Sequence, residues 1–342
     1  MAERVTLRDI ASATGLHFTT VGLALRGDRR INRATAERVQ AVAAHLGYRR
    51  DALLAALSAY RHQRSEAFRG MIGYVFPASF QTMMARNDGY GTTYWAASAA
   101  AAELGLKLEP ISTAGPGMTP ARLRQILDAR GIRGMIIAPL AQPGVGFALP
   151  WERCSTVAIG YSMREPALHR VAVHHTRGMQ MLLRELRALG YRRIGLVLHH
   201  ESNARTDSNF LGAYLADQET QPLKWRLRPM INDDPTPPAQ ALERWLRVQR
   251  PECVIGTMPE TLRSLRALGR RVPDDLGFAI LGTRPHSPNI AGIDENWERI
   301  GAAAVDLVFA LMKNRETGVP QFPRFALVEA KWVADATVRR VG

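Results

Sequence analysis

The residues whose types and spacing best suit recognition chemistry lie in the stretch GLHFTTVGLALRG at residues 15–27. Gly15 can form a turn, two threonines follow, and Val21 and Leu25 are spaced to face one side of a helix. Threonine hydroxyls can hydrogen-bond to base edges, and apolar side chains can contact thymine methyl groups. The spacing is typical of the turn and second helix of a helix-turn-helix, but any short helical hairpin matches it. The stretch alone leaves DNA recognition and an ordinary buried helix equally open.

The elements that must position this stretch form an all-helical region of about sixty residues. Leu7, Ile10 and Ala11 give the apolar face of a first helix, and Asn32 is a plausible N-cap for a third helix with Val39, Val42, Ala43 and Leu46 on its face. From Met71 onward short apolar runs alternate with helical stretches. This alternation predicts two α/β units with parallel sheets built from βαβ units. The long helix from Trp297 to Lys313 and the runs FALVEA and KWVAD come last.

Charge is concentrated in the helical region. The chain of 342 residues carries a formal net charge of +14, and residues 1–64 contain eleven arginines against five acidic residues, a net of +6. Such an excess favours a polyanionic partner, above all nucleic acid, although arginine content also reflects codon bias. With no apolar signal region and no run of about 18 apolar residues, we expect a cytoplasmic protein without a membrane partner. Cys154 and Cys253 are expected to be buried thiols in a reducing compartment.

Enzymatic chemistry has little support in the sequence. No GxGxxG or P-loop motif follows an apolar run, and acidic residues are scarce where the strands end. The pairs His174-His175 and His199-His200 suggest a metal, but adjacent strand residues point to opposite faces, so neither pair can clamp one ion. We therefore expect no enzymatic activity, no cofactor and no metal.

The stretch from Val5 to Leu57 resembles, nearly end to end, the DNA-binding region of the LacI/GalR (lactose-repressor) family of bacterial transcription regulators. The matching segments are Val5-Thr6-Leu7, Asp9-Ile10-Ala11, Gly15, Thr20-Val21, Leu25, Leu46-Gly47-Tyr48 and Leu57. Downstream, IGYVFP, ALGYRRIGLVL, RVPDDLGFAILG and WVADATVRR resemble the family's effector domain, which has the two-lobed periplasmic-binding-protein fold. The resemblance implies a helix-turn-helix headpiece at 1–50, a hinge helix and linker at 51–69, and an effector-binding and dimerisation domain at 70–342. Its N-lobe would be 70–161 plus 293–324, and its C-lobe 162–292 plus 325–342.

The resemblance also implies roles for residues of the headpiece. Phe18, Thr19 and Leu23 would read bases in the major groove, and Leu57, with Leu54, would wedge into the minor groove. The implied backbone contacts are Thr6, Thr20, Arg29, Arg30, Asn32, Arg33 and Tyr48. Leu23 stands where the family commonly has arginine, His17 replaces the usual serine N-cap, and Gly22 replaces serine. Two alternatives stay open: Leu23 as a core residue, and Leu53, Leu54 and Leu57 as a plain dimer contact.

In the effector domain, the resemblance places a ligand between the lobes, against residues at the carboxyl ends of strands. The implied contacts are Tyr161, Ser162, His174, His175, Arg205, Met258, Thr283 and Arg284. Sugar-binding relatives commonly carry acidic residues where this chain has Thr257-Met258 and Gly282-Thr283. The chain therefore favours an acidic or aromatic ligand or a phosphosugar over a neutral sugar, unless the cleft is empty or weakly used.

Taken together, the sequence predicts a sequence-specific DNA-binding transcriptional regulator, in particular a repressor that binds a palindromic operator as a homodimer and responds to a small ligand. The alternatives are a regulator with a degenerate, ligand-independent effector domain and a small-molecule-binding protein without a DNA role. The sequence does not specify the effector, the operator sequence or the target genes. It is equally compatible with a repressor or an activator, and with a dimer or a tetramer.

Overall fold

The computed structural model describes residues 5, 7–25, 31–46, 48, 70–85, 89–115, 117–141, 144, 149–282 and 289–341, without the side chains of residues 7, 8, 19 and 85. The chain divides into two compact units, residues 1–66 and 67–342. The first unit is helical and the second is α/β.

The described helices of the first unit are α1 (Leu7–Thr14), α2 (Phe18–Leu25) and α3 (Arg33–His45). Each of them contacts the other two around a small core, whose fully buried members are Ile10, Val21, Ala24 and Val39. Gly15 has φ +66°, the left-handed conformation that glycine adopts at no steric cost, so it ends α1 sharply. Asn32 caps α3, because its side chain accepts a hydrogen bond of 2.8 Å from the backbone N–H of Thr35. The predicted helix-turn-helix and its N-cap are confirmed.

The second unit contains two six-stranded sheets. The strands are β1 (Gly70–Phe76), β2 (Leu106–Ser112), β3 (Gly134–Ile137), β4 (Ser155–Ile159), β5 (His169–Val173), β6 (Ile194–His199), β7 (Met230–Asn232), β8 (Cys253–Gly256), β9 (Gly277–Leu281), β10 (Gly292–Asp294), β11 (Phe325–Val328) and β12 (Lys331–Val333). The first sheet has the order β11-β5-β4-β3-β1-β2 and the second β12-β10-β9-β8-β6-β7. Every described pairing is parallel except β10 with β12. The predicted parallel α/β architecture is confirmed.

Helices cover these sheets because the central strands are buried on both faces and read as continuous apolar runs. The helices are α4 (Phe80–Ala85), α5 (Tyr90–Glu103), α6 (Pro120–Ala129), α7 (His175–Ala188), α8 (His200–Arg205), α9 (Asn209–Thr220), α10 (Ala239–Gln249), α11 (Pro259–Ala267) and α12 (Trp297–Asn314). In α7 the buried residues Met179, Leu182, Leu183 and Leu186 recur at helical spacing, so one stripe of the helix faces the core. None of the described helices combines the length and apolarity needed to cross a membrane.

The strand order defines two lobes. The first lobe comprises β1–β5, β11, α4–α6 and α12, and the second comprises β6–β10, β12 and α7–α11. The chain passes between the lobes three times, after β5, after β10 and after β11. The predicted lobe boundaries differ from the sheets at three segments, 162–173, 293–294 and 325–328, because β5 and β11 pair with each other in the first sheet and β10 pairs with β9 in the second. Before β7, a 3₁₀ turn covers Leu223–Trp225.

Both cysteines lie inside the sheet cores. Cys154 and Cys253 are buried and free, as predicted. Burial raises the pKa of the Cys154 thiol to about 11 and also raises the pKa of Cys253, because a thiolate is poorly solvated in apolar surroundings. Both thiols are therefore protonated at neutral pH and unreactive in the folded chain.

The most extensive contact between described helices lies between α5 and α12, which cover the first sheet. Gly301 of α12 lies against the backbone of α5: a β-carbon at this position would meet the carbonyl oxygen of Thr93 and would come within 2.9 Å of the amide nitrogen of Ala97. Backbone atoms cannot swing away as a side chain can, so a larger residue would push the helices apart.

We predict that Gly301→Ala lowers the free energy of unfolding of the second unit by about 1–3 kcal/mol through overpacking. Gly212→Ala in α9 is the matched control, since a β-carbon there meets nothing within 4 Å, and it should gain up to about 1 kcal/mol from better helix propensity. Urea denaturation followed by tryptophan fluorescence reports on this unit alone, because all six tryptophans follow residue 66. Equal effects of the two substitutions would contradict the close approach at Gly301.

Candidate functional site

Helix α2 of the first unit divides its side chains between the core and the surface. Val21 and Ala24 are fully buried, whereas the Phe18 side chain is 46% exposed and Leu23 is half-buried. Among the described residues that form or pack against the helical core, Leu23 does not occur. Phe18 and Leu23 thus lie on the outer side of α2, where they are accessible to a partner.

Of the remaining predicted DNA contacts, four have described side chains. Thr20 is half-buried, and Tyr48 is half-buried with its ring packed against the helical core. Asn32 uses its side-chain oxygen as the cap of α3, and the exposed Arg33 pairs with Glu37 at 2.8 Å. Thr6, Arg29, Arg30, Leu54, Leu57 and the side chain of Thr19 lie outside the described residues.

The second unit contains a cavity of about 410 Å³ between the lobes. Its walls are formed by residues at or just after the carboxyl ends of strands: Pro139 after β3, Gly160 and Tyr161 after β4, His199 at the end of β6, Thr257 and Met258 after β8, and Gly282 after β9. Two of the three passages between lobes contribute as well, the first through His175 and the second through Glu295 and Trp297. Ligands of open α/β sheets bind at this end of the strands, so the cavity is a candidate ligand cleft.

His175 and Glu295 form the most enclosed polar pair of the cleft. The His175 Nε2 atom lies 3.4 Å from Glu295 Oε1, and the two side chains are 7% and 14% exposed. The other ring nitrogen, Nδ1, is buried and has no hydrogen-bond partner among the described residues. Rings of Phe210 and Tyr161 lie 4.5 Å and 5.5 Å from the imidazole. An unsatisfied buried nitrogen is costly, so this position can gain free energy when a ligand supplies the missing hydrogen bond.

Glu295 is held close to the end of β9. A β-carbon at Gly282 would lie 3.0 Å from Glu295 Oε2, and Gly282 has φ +89°. Both the space and the left-handed backbone conformation require glycine at this position. The carboxylate of Glu295 therefore lies beside Gly282 at the carboxyl end of β9, although no acidic residue follows directly after that strand.

Arg205 forms the opposite polar group of the cleft. Its Nη2 donates a hydrogen bond of 2.8 Å to the hydroxyl of Tyr90, and its Nε is buried without a partner among the described residues. The guanidinium is a fixed cation with five N–H donors, and most of them have no acceptor among the residues that the structure describes. The cleft thus presents donors at Arg205 and acceptors at Glu295.

Other polar groups of the cleft already form hydrogen bonds within the protein. The Oγ of Ser162 accepts a hydrogen bond of 2.8 Å from the backbone N–H of Leu140. His199 Nε2 lies 2.9 Å from the carbonyl oxygen of Asp233, so it must donate, and Nδ1 lies 3.2 Å from Ser202 Oγ. Burial raises the pKa of the Tyr161 hydroxyl, while the nearby Arg170 opposes that rise. Tyr161 is therefore neutral and can both donate and accept a hydrogen bond.

The predicted effector residues come together only in part. Tyr161, Ser162, His175, Arg205 and Met258 all line the cleft. His174 is half-buried at the start of α7 and is not part of the described wall, and Thr283 and Arg284 lie outside the described residues. Within the part of the chain that is described, no three histidine, cysteine or acidic side chains are grouped so that they could hold a metal.

Among the cleft residues that the sequence did not predict are Glu201, Phe210, Glu295 and Trp297. Glu201 and Glu295 thus supply carboxylates to the cleft wall, although the ends of β8 and β9 carry none. Glu295 and Trp297 follow β10, a strand of three residues that is too short to recognise as an apolar run. The sequence does place both residues at the start of the long helix α12, where a strand-to-helix connection is expected.

Comparisons with known proteins agree with this architecture. The family model described as "Bacterial regulatory proteins, lacI family" matches residues 6–51, and the model described as "Periplasmic binding protein-like domain" matches residues 183–333. Comparison with curated protein sequences gives no match.

Solved structures share the fold at low sequence identity. A complex of the transcriptional regulator CelR with cellobiose is 19% identical, with a TM-score of 0.58, over 98% of this chain and 100% of that chain. The lac repressor dimer bound to operator and the anti-inducer ONPF is 18% identical, with a TM-score of 0.56 and the same coverage. A LacI family regulator from Enterococcus faecium with bound ribose is 14% identical, with a TM-score of 0.54, over 80% of this chain and 100% of that one.

The fold and the cleft define a two-lobed, periplasmic-binding-protein-like domain preceded by a helix-turn-helix unit. The DNA-binding region, residues 6–51, belongs to the lacI family of bacterial regulatory proteins, and residues 183–333 match a periplasmic binding protein-like domain. With these two domains the chain is a DNA-binding transcription regulator of the lacI type.

We predict that Ser162→Ala destabilises the second unit, because the substitution leaves the buried N–H of Leu140 without an acceptor. The expected loss is about 1–3 kcal/mol of unfolding free energy, measured by urea denaturation with tryptophan fluorescence. Ser98→Ala in α5 is the control, since Ser98 is half-buried and makes no hydrogen bond within the described residues, and it should change stability by less than about 0.5 kcal/mol. If both variants unfold alike, the side chain of Ser162 does not support the cleft wall.

Proposed function

We propose that the protein is a repressor that binds a palindromic operator as a homodimer and is modulated by a small ligand in the interlobe cleft. DNA binding is supported by the two sides of α2. Val21 and Ala24 are buried in the core, whereas Phe18 and Leu23 remain accessible. A reading helix needs this division, because its inner residues hold it against the unit while its outer residues enter the major groove.

The chemistry of α2 predicts an unusual base preference. Phe18 and Leu23 offer only apolar contacts, most favourable with the methyl group of thymine, and Thr19 is the proposed hydrogen-bonding reader. A bidentate contact from arginine to guanine, worth about 1–3 kcal/mol of discrimination, has no counterpart at Leu23. The operator half-site should therefore depend on thymine methyl groups opposite Phe18 and Leu23.

We propose that charged and polar residues of the helical unit provide the affinity for the DNA backbone. The exposed Arg33, together with Thr6, Thr20, Arg29, Arg30, Asn32 and Tyr48, is proposed to contact phosphates, so binding should weaken as salt concentration rises. Leu54 and Leu57 are proposed to enter the minor groove from a hinge helix. A cytoplasmic location and the absence of enzymatic activity belong to the same proposal.

The ligand part of the proposal is supported by the unsatisfied groups of the cleft. His175 Nδ1 and Arg205 Nε are buried without partners among the described residues, beside the acceptor Glu295 and the rings of Tyr161 and Phe210. Glu201 and Glu295 place two negative charges in the wall, which disfavours a dianionic phosphosugar through like-charge repulsion. We infer a compact ligand with a flat or ring-shaped body, an acceptor for Arg205 and a donor for Glu295. Such a ligand regulates DNA binding only through a difference in affinity between two arrangements of the lobes.

We predict that footprinting on genomic DNA upstream of the gene reveals a protected region with two-fold symmetry. Its half-site centres should lie about one helical turn, or about 10 base pairs, apart, because each subunit of a dimer presents one reading helix. Sedimentation of the protein on the isolated site should give two chains per DNA duplex. A protected region without two-fold symmetry, or one chain per site, would contradict the proposal.

We predict that Leu23→Ala leaves the helical unit folded and lowers operator affinity by roughly tenfold, the cost of losing one apolar base contact of about 1–2 kcal/mol. Fluorescence anisotropy against operators mutated at each symmetric base pair should show that the loss is confined to one pair. Val21→Ala is the control, because Val21 is fully buried and its truncation should unfold the helical unit. If Leu23→Ala reduces the stability of the helical unit as much as Val21→Ala does, then Leu23 is a core residue.

A further inference from the structure

Helix α8 of the second lobe is held by the first lobe at two points. The Nη2 of Arg205, the last residue of α8, donates to the hydroxyl of Tyr90 in α5 over 2.8 Å. The Nη2 of Arg164, in the connection between β4 and β5, donates to the carbonyl oxygen of Ala204 over 3.2 Å. Both bonds pass from one lobe to the other, so they oppose separation of the lobes.

The Tyr90 bond differs from the Arg164 bond in burial and in position. The Tyr90 side chain is 5% exposed and belongs to the continuous apolar core, whereas Arg164 is exposed to water. Arg205 also lines the cleft, and its Nε is buried without a partner in the described part of the chain. The same guanidinium therefore serves the contact between lobes and the wall of the cleft.

A shared group of this kind couples lobe separation to occupation of the cleft. The phenolic hydroxyl of Tyr90 is a neutral acceptor, and a charged or better-aligned acceptor makes the stronger hydrogen bond to a guanidinium. A ligand atom that accepts from Arg205 competes with Tyr90 for the same donors.

We propose that the Tyr90–Arg205 hydrogen bond is a latch between the lobes, and that the cleft ligand changes the lobe arrangement by taking the guanidinium from Tyr90. The second clause rests on the proposed function, because it needs a ligand in the cleft. The first clause concerns the effector domain alone and holds whether or not the chain binds DNA.

The test measures the distance between the lobes in variants that remove single hydroxyl groups. Tyr90→Phe removes the acceptor for Arg205 and keeps the ring in the core. Tyr74→Phe is the matched control in the same lobe, since the buried Tyr74 hydroxyl has no hydrogen-bond partner among the described residues. Spin labels on cysteines introduced at the exposed positions Gln125 in α6 and Gln240 in α10 report the distance by pulsed electron resonance. The two natural thiols are buried and do not react with the label.

We expect Tyr90→Phe in the full-length chain to increase the population with separated lobes by about fivefold, the effect of one net hydrogen bond. The added population should have an interlobe distance longer by more than about 2 Å, the scale of a domain rearrangement. Tyr74→Phe should give the distance distribution of the unsubstituted chain.

An unchanged distribution in Tyr90→Phe overturns the latch. If that variant does not fold, Arg205→Gln provides the second measurement, because it removes the guanidinium donor of the same bond from the other lobe. It should shift the distribution in the same direction, and an unchanged distribution overturns the latch in that case as well. Operator binding by the same variants, measured by anisotropy, is a separate readout, so failure of the latch is distinguishable from failure of the DNA-binding proposal.

Discussion

The close packing of α5 against α12 is the constraint on which the cleft depends. It is the most extensive contact between any two of the described elements, and it is possible because Gly301 lets the two backbones approach. Tyr90 begins α5 and Trp297 begins α12, so the same contact places Trp297 in the wall of the cleft and Tyr90 beside the wall residue Arg205. Gly89 strengthens this arrangement, because the ring of Trp297 lies where its β-carbon would be. The geometry of the ligand wall thus follows from backbone contact between two helices.

Hydrogen-bond satisfaction separates the structural groups of the cleft from those that can bind a ligand. Ser162, Thr257 and His199 are paired within the protein, and they hold the strand ends and α8 in place. His175, Arg205 and Glu295 keep unused capacity in a wall that also contains apolar rings. Polar groups buried without partners cost free energy, and proteins retain them where a ligand supplies the missing bond. Regulation by such a ligand requires that the bond also favours one lobe arrangement, which a guanidinium shared with Tyr90 provides.

The helical unit shows how a reading helix keeps its fold while its recognition chemistry changes. Its core is small, and the buried positions Ile10, Val21, Ala24 and Val39 are apolar, as the helix pattern requires. The outward positions do not contribute to this core, so arginine can be replaced by Leu23 without a folding cost. Specificity can therefore vary at the surface of α2 while the helical unit stays the same.

The sequence by itself determined the features that depend on neighbouring residues. Local periodicity and turn chemistry specify the helix-turn-helix, the Asn32 cap and the alternation of strands and helices, and they also place Tyr161 and His175 just after strands. Only the tertiary structure decided that β5 and β11 belong to the first lobe, because an apolar run has the same pattern in either sheet. The same holds for Glu295 beside His175 and for Tyr90 beside Arg205, pairs separated by more than a hundred residues. Such contacts are set by the order of strands and by helix packing, which no local pattern encodes.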